Sequence, residues 1–196
     1  MEARGFRVLG VSGSLRSASY NTALLRAAAT LAPPGVEVDI YDRLRDVPPY
    51  DDDERLAGEP EPVQDLKRRI AAADAMLIAT PEYNHSIPGV LKNAIDWVSR
   101  PVNDTPLRDK ATAVMGASGG LMGTVRAQAH LRQALETFTP VLHRPEVLVS
   151  KAGDRFDEHG TLVDETSRQL VAELVQGLVA WTRRLAVEHE ALLAAR

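Results

Sequence analysis

The sequence predicts a doubly wound α/β sandwich with three layers, a five-stranded parallel sheet of order 2-1-3-4-5 between two layers of helices. Three observations carry that expectation. Short apolar runs alternate with longer amphipathic stretches along the whole chain, the pattern of repeated strand–helix units. One of the runs, Ala75-Met76-Leu77-Ile78-Ala79, is apolar throughout, as a strand covered on both faces must be. The chain carries no internal repeat, and its 196 residues suit one domain, taken as 1–196, able to bury roughly 70% of its unfolded surface. Right-handed crossovers then make 2-1-3-4-5 the economical order, with ligands expected at the carboxyl ends of the strands, where the order reverses.

The elements follow in sequence. Phe6 to Val11 is a short apolar run that delivers the loop Ser12-Gly13-Ser14. Leu24, Leu25, Ala28 and Leu31 recur at helical spacing, and Pro33-Pro34-Gly35 stops that helix. Val36 to Ile40 alternates like a strand. Asp46 to Pro62, with four prolines and the acidic run Asp51 to Glu54, reads as an irregular, solvated surface excursion. A second helix is predicted from about Val63 to Ala73, and the buried run from Ala75 follows it. Pro88 sits in the predicted first turn of a third helix with the apolar stripe Val90, Leu91, Ala94, Ile95 and Val98. Trp97 falls off that stripe, which makes it a candidate for a subunit interface. Lys110 to Gly116 is a fourth strand, Thr124 to Phe138 a helix, and Val141 to Val149 a fifth strand. Pro145 favours an edge position for that strand, because proline cannot donate to a ladder. Leu170 to Leu185 lines a last, long helix, the fifth.

Composition narrows the function. The chain has no cysteine, which removes disulfides, iron–sulfur clusters and thiolate zinc sites and is compatible with the reducing cytoplasm. A formal net charge of −4 with scattered lysine and arginine argues against nucleic acid as a partner. The apolar stretch after Met1 is too short for a signal segment and is broken by Arg7; no run approaches a membrane span. A soluble protein with a small-molecule ligand is the expectation.

Three loops at strand ends hold the candidate chemistry. The first, Ser12 to Thr22, carries hydroxyls on Ser12, Ser14, Ser17, Ser19 and Thr22, the Arg16 guanidinium, Tyr20 and the Asn21 amide, and opens a helix. Unpaired N–H groups at a helix start, several hydroxyl donors and one arginine suit a terminal phosphate. A single helix cap at Ser19 or Asn21 would need only one such residue. Neither the Walker pattern nor Gly-x-Gly-x-x-Gly follows the first strand, which disfavours a tightly held dinucleotide there. The second loop, Thr80 to Gly89, is stiffened by Pro81 and Pro88 and offers Tyr83 as a flat face. Ser86 is a possible helix cap in it, and His85 reads as a bystander rather than an acid or base. The third loop, Gly116 to Thr124, has four glycines in eight residues, which lets backbone N–H groups approach a ligand. It also matches the Gly-x-Ser-x-Gly nucleophile elbow at Ser118, so a hydrolase relay with Asp154, Asp157 and His159 stands as an alternative. His130, His143 and His189 lack metal-ligand spacing, and no metal site is expected.

At these loops the sequence resembles the NADPH-dependent FMN reductase family, flavodoxin-like proteins that include quinone and chromate reductases. The resemblance rests on Gly13-Ser14-Leu15-Arg16-x-x-Ser19-x-Asn21, on Pro81-Glu82-Tyr83-Asn84-x-Ser86-x-Pro88-Gly89 running on to Trp97, and on Ser118-Gly119-Gly120. It implies a flavodoxin-like fold and FMN as cofactor. Ser14, Arg16, Ser19 and Asn21, with Tyr20 and Thr22 beside them, would hold the phosphate. Pro81, Glu82, Tyr83 and Asn84 would contact the isoalloxazine, and Ser118, Gly119 and Gly120 would close the pocket. The implied reaction is two-electron transfer from NADPH or NADH through FMN to a quinone-like acceptor, with no side chain required as a catalytic acid or base. Family members are expected to be homodimers or homotetramers. A flavodoxin-like electron carrier, and a reductase that supplies free reduced FMN, are the alternatives.

Overall fold

The computed structural model describes residues 5–194; Met1 to Arg4, at the start of the stretch read for a signal segment, lie outside the described residues. Strands β1 (Phe6–Ser12), β2 (Val36–Tyr41), β3 (Ala75–Ala79), β4 (Thr112–Ala117) and β5 (Val141–Val149) form one parallel sheet of order β2-β1-β3-β4-β5. The helices are α1 (Tyr20–Leu31), α2 (Asp52–Ala57), α3 (Glu61–Ala72), α4 (Gly89–Val98), α5 (Val125–Leu135) and α6 (Glu165–Ala194). The predicted fold class and strand order are those observed.

The two helical layers follow from the period of two along each strand. Val8 on β1, Ala75, Leu77 and Ala79 on β3, and Ala113, Met115 and Ala117 on β4 share one core with α1 and α6. Their neighbours Leu9, Val11, Met76, Ile78 and Val114 point the other way, into a second core with Leu66 and Ile70 of α3, Leu91 and Ile95 of α4 and Leu131 of α5. Alanines recur on the α1–α6 side of β3 and β4, so the helices seat close to the sheet there. Burying one large aliphatic side chain in either core contributes roughly 1.5–3 kcal/mol.

The prolines act as the sequence suggests at the sheet's edge. β5 is an edge strand, and its pairing with β4 shifts register between Ala113 and Met115, so that the partner residues jump from Leu142 to Val147 across the stretch that holds Pro145. Pro88 stands one place earlier than expected, as the residue before the first turn of α4.

The excursion from Asp46 to Pro62 is a correction. It is not irregular throughout: it contains α2, a sixth helix capped by Asp51, whose carboxylate accepts from Asp53 N at 2.8 Å. Nor does Trp97 face a partner subunit. The excursion covers it completely, at 0% exposure, with Val47, Val63 and Tyr50 around it. The indole N–H donates to Pro48 O at 2.8 Å, and the Tyr50 ring meets the indole edge-to-face at 5.0 Å. Asn93, one turn earlier on α4, donates to the same Pro48 carbonyl and accepts from Tyr50 N, both at 2.7 Å. The off-stripe face of α4 is thus a docking face for the chain's own excursion.

At the opposite, amino-terminal edge of the sheet, the second half of α6 overhangs the starts of β4 and β5. A cavity of about 640 Å³ lies beneath it, lined by Phe138, Pro140 and Leu185 among others and by none of the three loops. No described helix is long and apolar enough to cross a membrane.

Candidate functional site

Strands β1, β3 and β4 end side by side, so their loops converge. A cleft of about 110 Å³ between them is lined by ten of the thirteen predicted site residues: Ser14, Arg16, Ser19, Tyr20, Asn21, Pro81, Glu82, Tyr83, Ser118 and Gly119. Thr22 lines an adjoining cavity, and Asn84 and Gly120 lie on the same loops without lining the cleft.

The first loop is tied together by its own hydroxyls. Ser12 Oγ accepts from Ser14 N and from Thr22 Oγ1, and Ser19 Oγ accepts from Asn21 N and Thr22 N as the cap of α1. Capping and ligand binding are compatible at Ser19, because its hydroxyl hydrogen is left over after two acceptances. The Arg16 guanidinium makes no hydrogen bond or ion pair among the described residues. Asn21, which lines the cleft, also has a partner that the sequence does not suggest. Its buried amide donates to Ala117 O and accepts from Ala117 N, both at 2.9 Å, which clasps the first loop to the start of the third across the end of β3. The Tyr20 ring lies 5.3 Å from Phe156 and walls the cleft.

The second loop is a tight hairpin. Tyr83 and Ser86 exchange both backbone hydrogen bonds at 3.0 Å, and the two residues between them, Asn84 and His85, have φ of 49° and 64°. Two consecutive left-handed residues define a type I′ turn, which favours Asn-Gly; histidine in the second place is strained. His85→Gly should therefore raise stability by about 0.5–1 kcal/mol in thermal unfolding. The hairpin holds Tyr83 out at 47% exposure, beside the cleft. Ser86 does not cap α4; its hydroxyl lies in a hydrogen bond 3.0 Å from His130 Nδ1 on α5.

Glu82 also turns toward α5. Its carboxylate accepts from Arg126 N at 3.0 Å, from Ala127 N at 3.2 Å and from the Arg126 guanidinium at 3.3 Å. Thr124, the residue before the helix, makes no side-chain cap, so Glu82 caps α5 from another loop. Burial opposes its charge, but the two backbone N–H groups and the guanidinium outweigh that and hold the carboxyl below the usual glutamate range. The sequence missed Arg126 and His130 as partners. Their spacing of four on one helix face was the available signal.

The third loop fits a ligand rather than a nucleophile. Ser118 Oγ accepts from Gly120 N at 3.1 Å, and a Cβ at Gly119 would meet nothing within 4 Å, leaving backbone open to the cleft. Asp157 spends its carboxylate on His159 N and Thr161 N, and the exposed His159 ring faces Glu158. The hydrolase relay is therefore absent among the described residues. No metal-holding group of His, Asp and Glu occurs among them either.

The phosphate-type donors, the exposed aromatic face and the open glycine backbone together fit a phosphorylated flavin. The family model for NADPH-dependent FMN reductase matches residues 6–154. The chain belongs to the NADPH-dependent FMN reductase family. This FMN reductase is accordingly a flavodoxin-like oxidoreductase that uses FMN and NAD(P)H. It is 49% identical over 181 residues to an NAD(P)H-dependent FMN reductase of Pseudomonas aeruginosa, covering 91% of this chain and 96% of that one. It is 39% identical over 178 residues to a 2-hydroxy-1,4-benzoquinone reductase of a Burkholderia species, covering 90% and 96%. Among solved structures, the flavoenzyme NAD(P)H:(acceptor) oxidoreductase of Paracoccus denitrificans superposes with a TM-score of 0.83 at 36% identity, over 91% of this chain and 98% of that one.

Proposed function

We propose that the chain, as a single-domain unit, passes two electrons from NAD(P)H through FMN held in this cleft to a quinone-like acceptor. The observation that carries the reading is the convergence, in one cleft, of Arg16 and its hydroxyl neighbours with Tyr83 and the open Gly119 backbone. Relatives named for quinone reduction support the choice of acceptor.

When bound, FMN would supply two-electron redox chemistry. The protein's share is position and charge. Arg16, Ser14 and Ser19 would bind the phosphate; Pro81 and Tyr83 would flank the ring; backbone N–H groups of the third loop would favour negative charge on it. Asn21 and Glu82, which also line the cleft, tie the three loops together through Ala117 and the start of α5. We extend the proposal to a homodimer or homotetramer of the cytoplasm, supported by Leu121 and Met122, left exposed on the third loop.

The test is the absorbance spectrum of purified protein, recorded anaerobically, before and after NADPH or NADH and then a quinone. A flavin spectrum that bleaches with either nucleotide and recovers with the quinone supports the reading. Protein that takes up no FMN, or that reduces quinone equally well without it, overturns it. Arg16→Ala should weaken FMN binding by about ten- to a hundredfold, the scale of a charge-assisted phosphate contact, while leaving riboflavin binding unchanged.

A further inference from the structure

A second cavity, of about 330 Å³, adjoins the first loop on the side away from Tyr83. It shares Ser14 and Arg16 with the flavin cleft and continues past them to the end of β2. Its size is at the lower end for small-molecule sites. The register of the sheet builds it: Val11 pairs with Tyr41, so Asp42 emerges beside Ser12, where the first loop begins.

The charge at this cavity is the opposite of the chain's. Although the net charge is −4, three guanidiniums, those of Arg16, Arg26 and Arg45, line the cavity with one carboxylate, Asp42. Elsewhere on the surface arginine is commonly paired, as Arg43 is with Glu61 and Arg155 with Asp164. Arg16 and Arg26 have no carboxylate within salt-bridge distance among the described residues, and Arg45 donates only to Leu15 O, at 2.9 Å. Arg26 stands one turn beyond Thr22 on α1, on the face that lines the cavity. Leu15, Ile40 and Leu44 supply apolar surface.

We propose that this cavity is a subsite for the adenosine phosphate half of a dinucleotide, seated next to the FMN phosphate. Guanidiniums without partners suit a phosphoryl group. An acidic residue at the tip of a parallel strand suits the hydroxyls of a ribose, the role such a residue has in doubly wound dinucleotide sites. The apolar side chains suit a purine. The inference rests on the placement of the FMN phosphate at Ser14 and Arg16. Two molecules carry this chemistry: FAD, whose second phosphate extends the FMN phosphate directly, and NAD(P)H, whose adenosine half lies away from its nicotinamide.

The experiment compares Arg26→Ala with the unaltered chain. FMN-free protein is titrated with FMN and with FAD by quenching of flavin fluorescence, and FMN-loaded protein is titrated with ADP by calorimetry. Arg26→Ala should weaken FAD or ADP about tenfold and leave FMN unchanged, which also shows that the variant folds. An effect on FAD alone assigns the subsite to a flavin dinucleotide; an effect on ADP in FMN-loaded protein assigns it to the nicotinamide nucleotide. If FMN binds as expected and Arg26→Ala alters neither, the subsite is refuted and the flavin reading stands. If FMN fails to bind, both fall together.

Discussion

Gly116→Ala is expected to destabilise the protein by about 4 kcal/mol or more and to abolish FMN retention. A Cβ there would sit 2.0 Å from Thr124 Oγ1 and 2.4 Å from the Thr80 carbonyl oxygen. No rotamer relieves the second contact, because the carbonyl belongs to the backbone at the end of β3. Thr80 N in turn donates to Met115 O, so the strand ends cannot part without breaking the ladder. For a domain stable by about 5–15 kcal/mol the loss would be a large fraction of the total. Urea unfolding gives the magnitude directly. Adding Thr124→Ala should recover only part of it, since the Thr80 contact persists. A single variant within 1 kcal/mol of the parent would show that β3 and β4 approach less rigidly than the structure indicates.

Glu82 carries the second large effect. Glu82→Ala would leave the Arg126 and Ala127 N–H groups without their acceptor, at a site where the carboxylate is only 10% exposed. Loss of such a charged cap costs about 2–3 kcal/mol, and Glu82→Gln, which keeps the shape and loses the charge, about half of that. The pH dependence distinguishes the role. The folded carboxyl titrates below the ordinary glutamate value of 4.5, so its contribution is fully present above that value and is lost as pH falls through the folded one. The gap between the parent and Glu82→Gln should accordingly be constant at neutral pH and narrow only below about pH 4.5. FMN affinity should fall in both variants, because the second loop loses its anchor on α5. A gap that stays constant into acid would mean that the carboxylate charge contributes nothing.

The strand order and the convergence of the three loops on one cleft were legible because they depend on patterns within short segments. The unbroken run at Ala75 to Ala79 announced a central strand, and Pro145 an edge. The polar crowding after Ser12 pointed to the candidate cleft by residue types that sit within one loop. What escaped depended on partners far along the chain. An amide at Asn21 reads alike whether it meets a phosphate or Ala117, 96 residues away. Glu82 found its acceptor role 44 residues on, at a helix start that brings no cap of its own. Trp97 looked like interface because only helical period was visible; the excursion that covers it lies on the far side of α3 in sequence. Acidic residues from Asp51 to Glu54 suggested solvent, and they are solvated, but Asp51 also starts a helix.

The clasp between Asn21 and Ala117 has a thermodynamic consequence. It joins the start of α1 to the end of β4, and with Glu82 and Ser86 anchored on α5 the three loops are tied to one another before any cofactor arrives. Most of the loss of conformational freedom in the cleft is then a cost of folding, not of ligation. Binding free energy from the proposed phosphate and ring contacts would then be little diminished by loop ordering. A substitution in a tie would transfer that ordering to the binding step, and would be felt as lost affinity beyond the loss of any contact at the substituted residue.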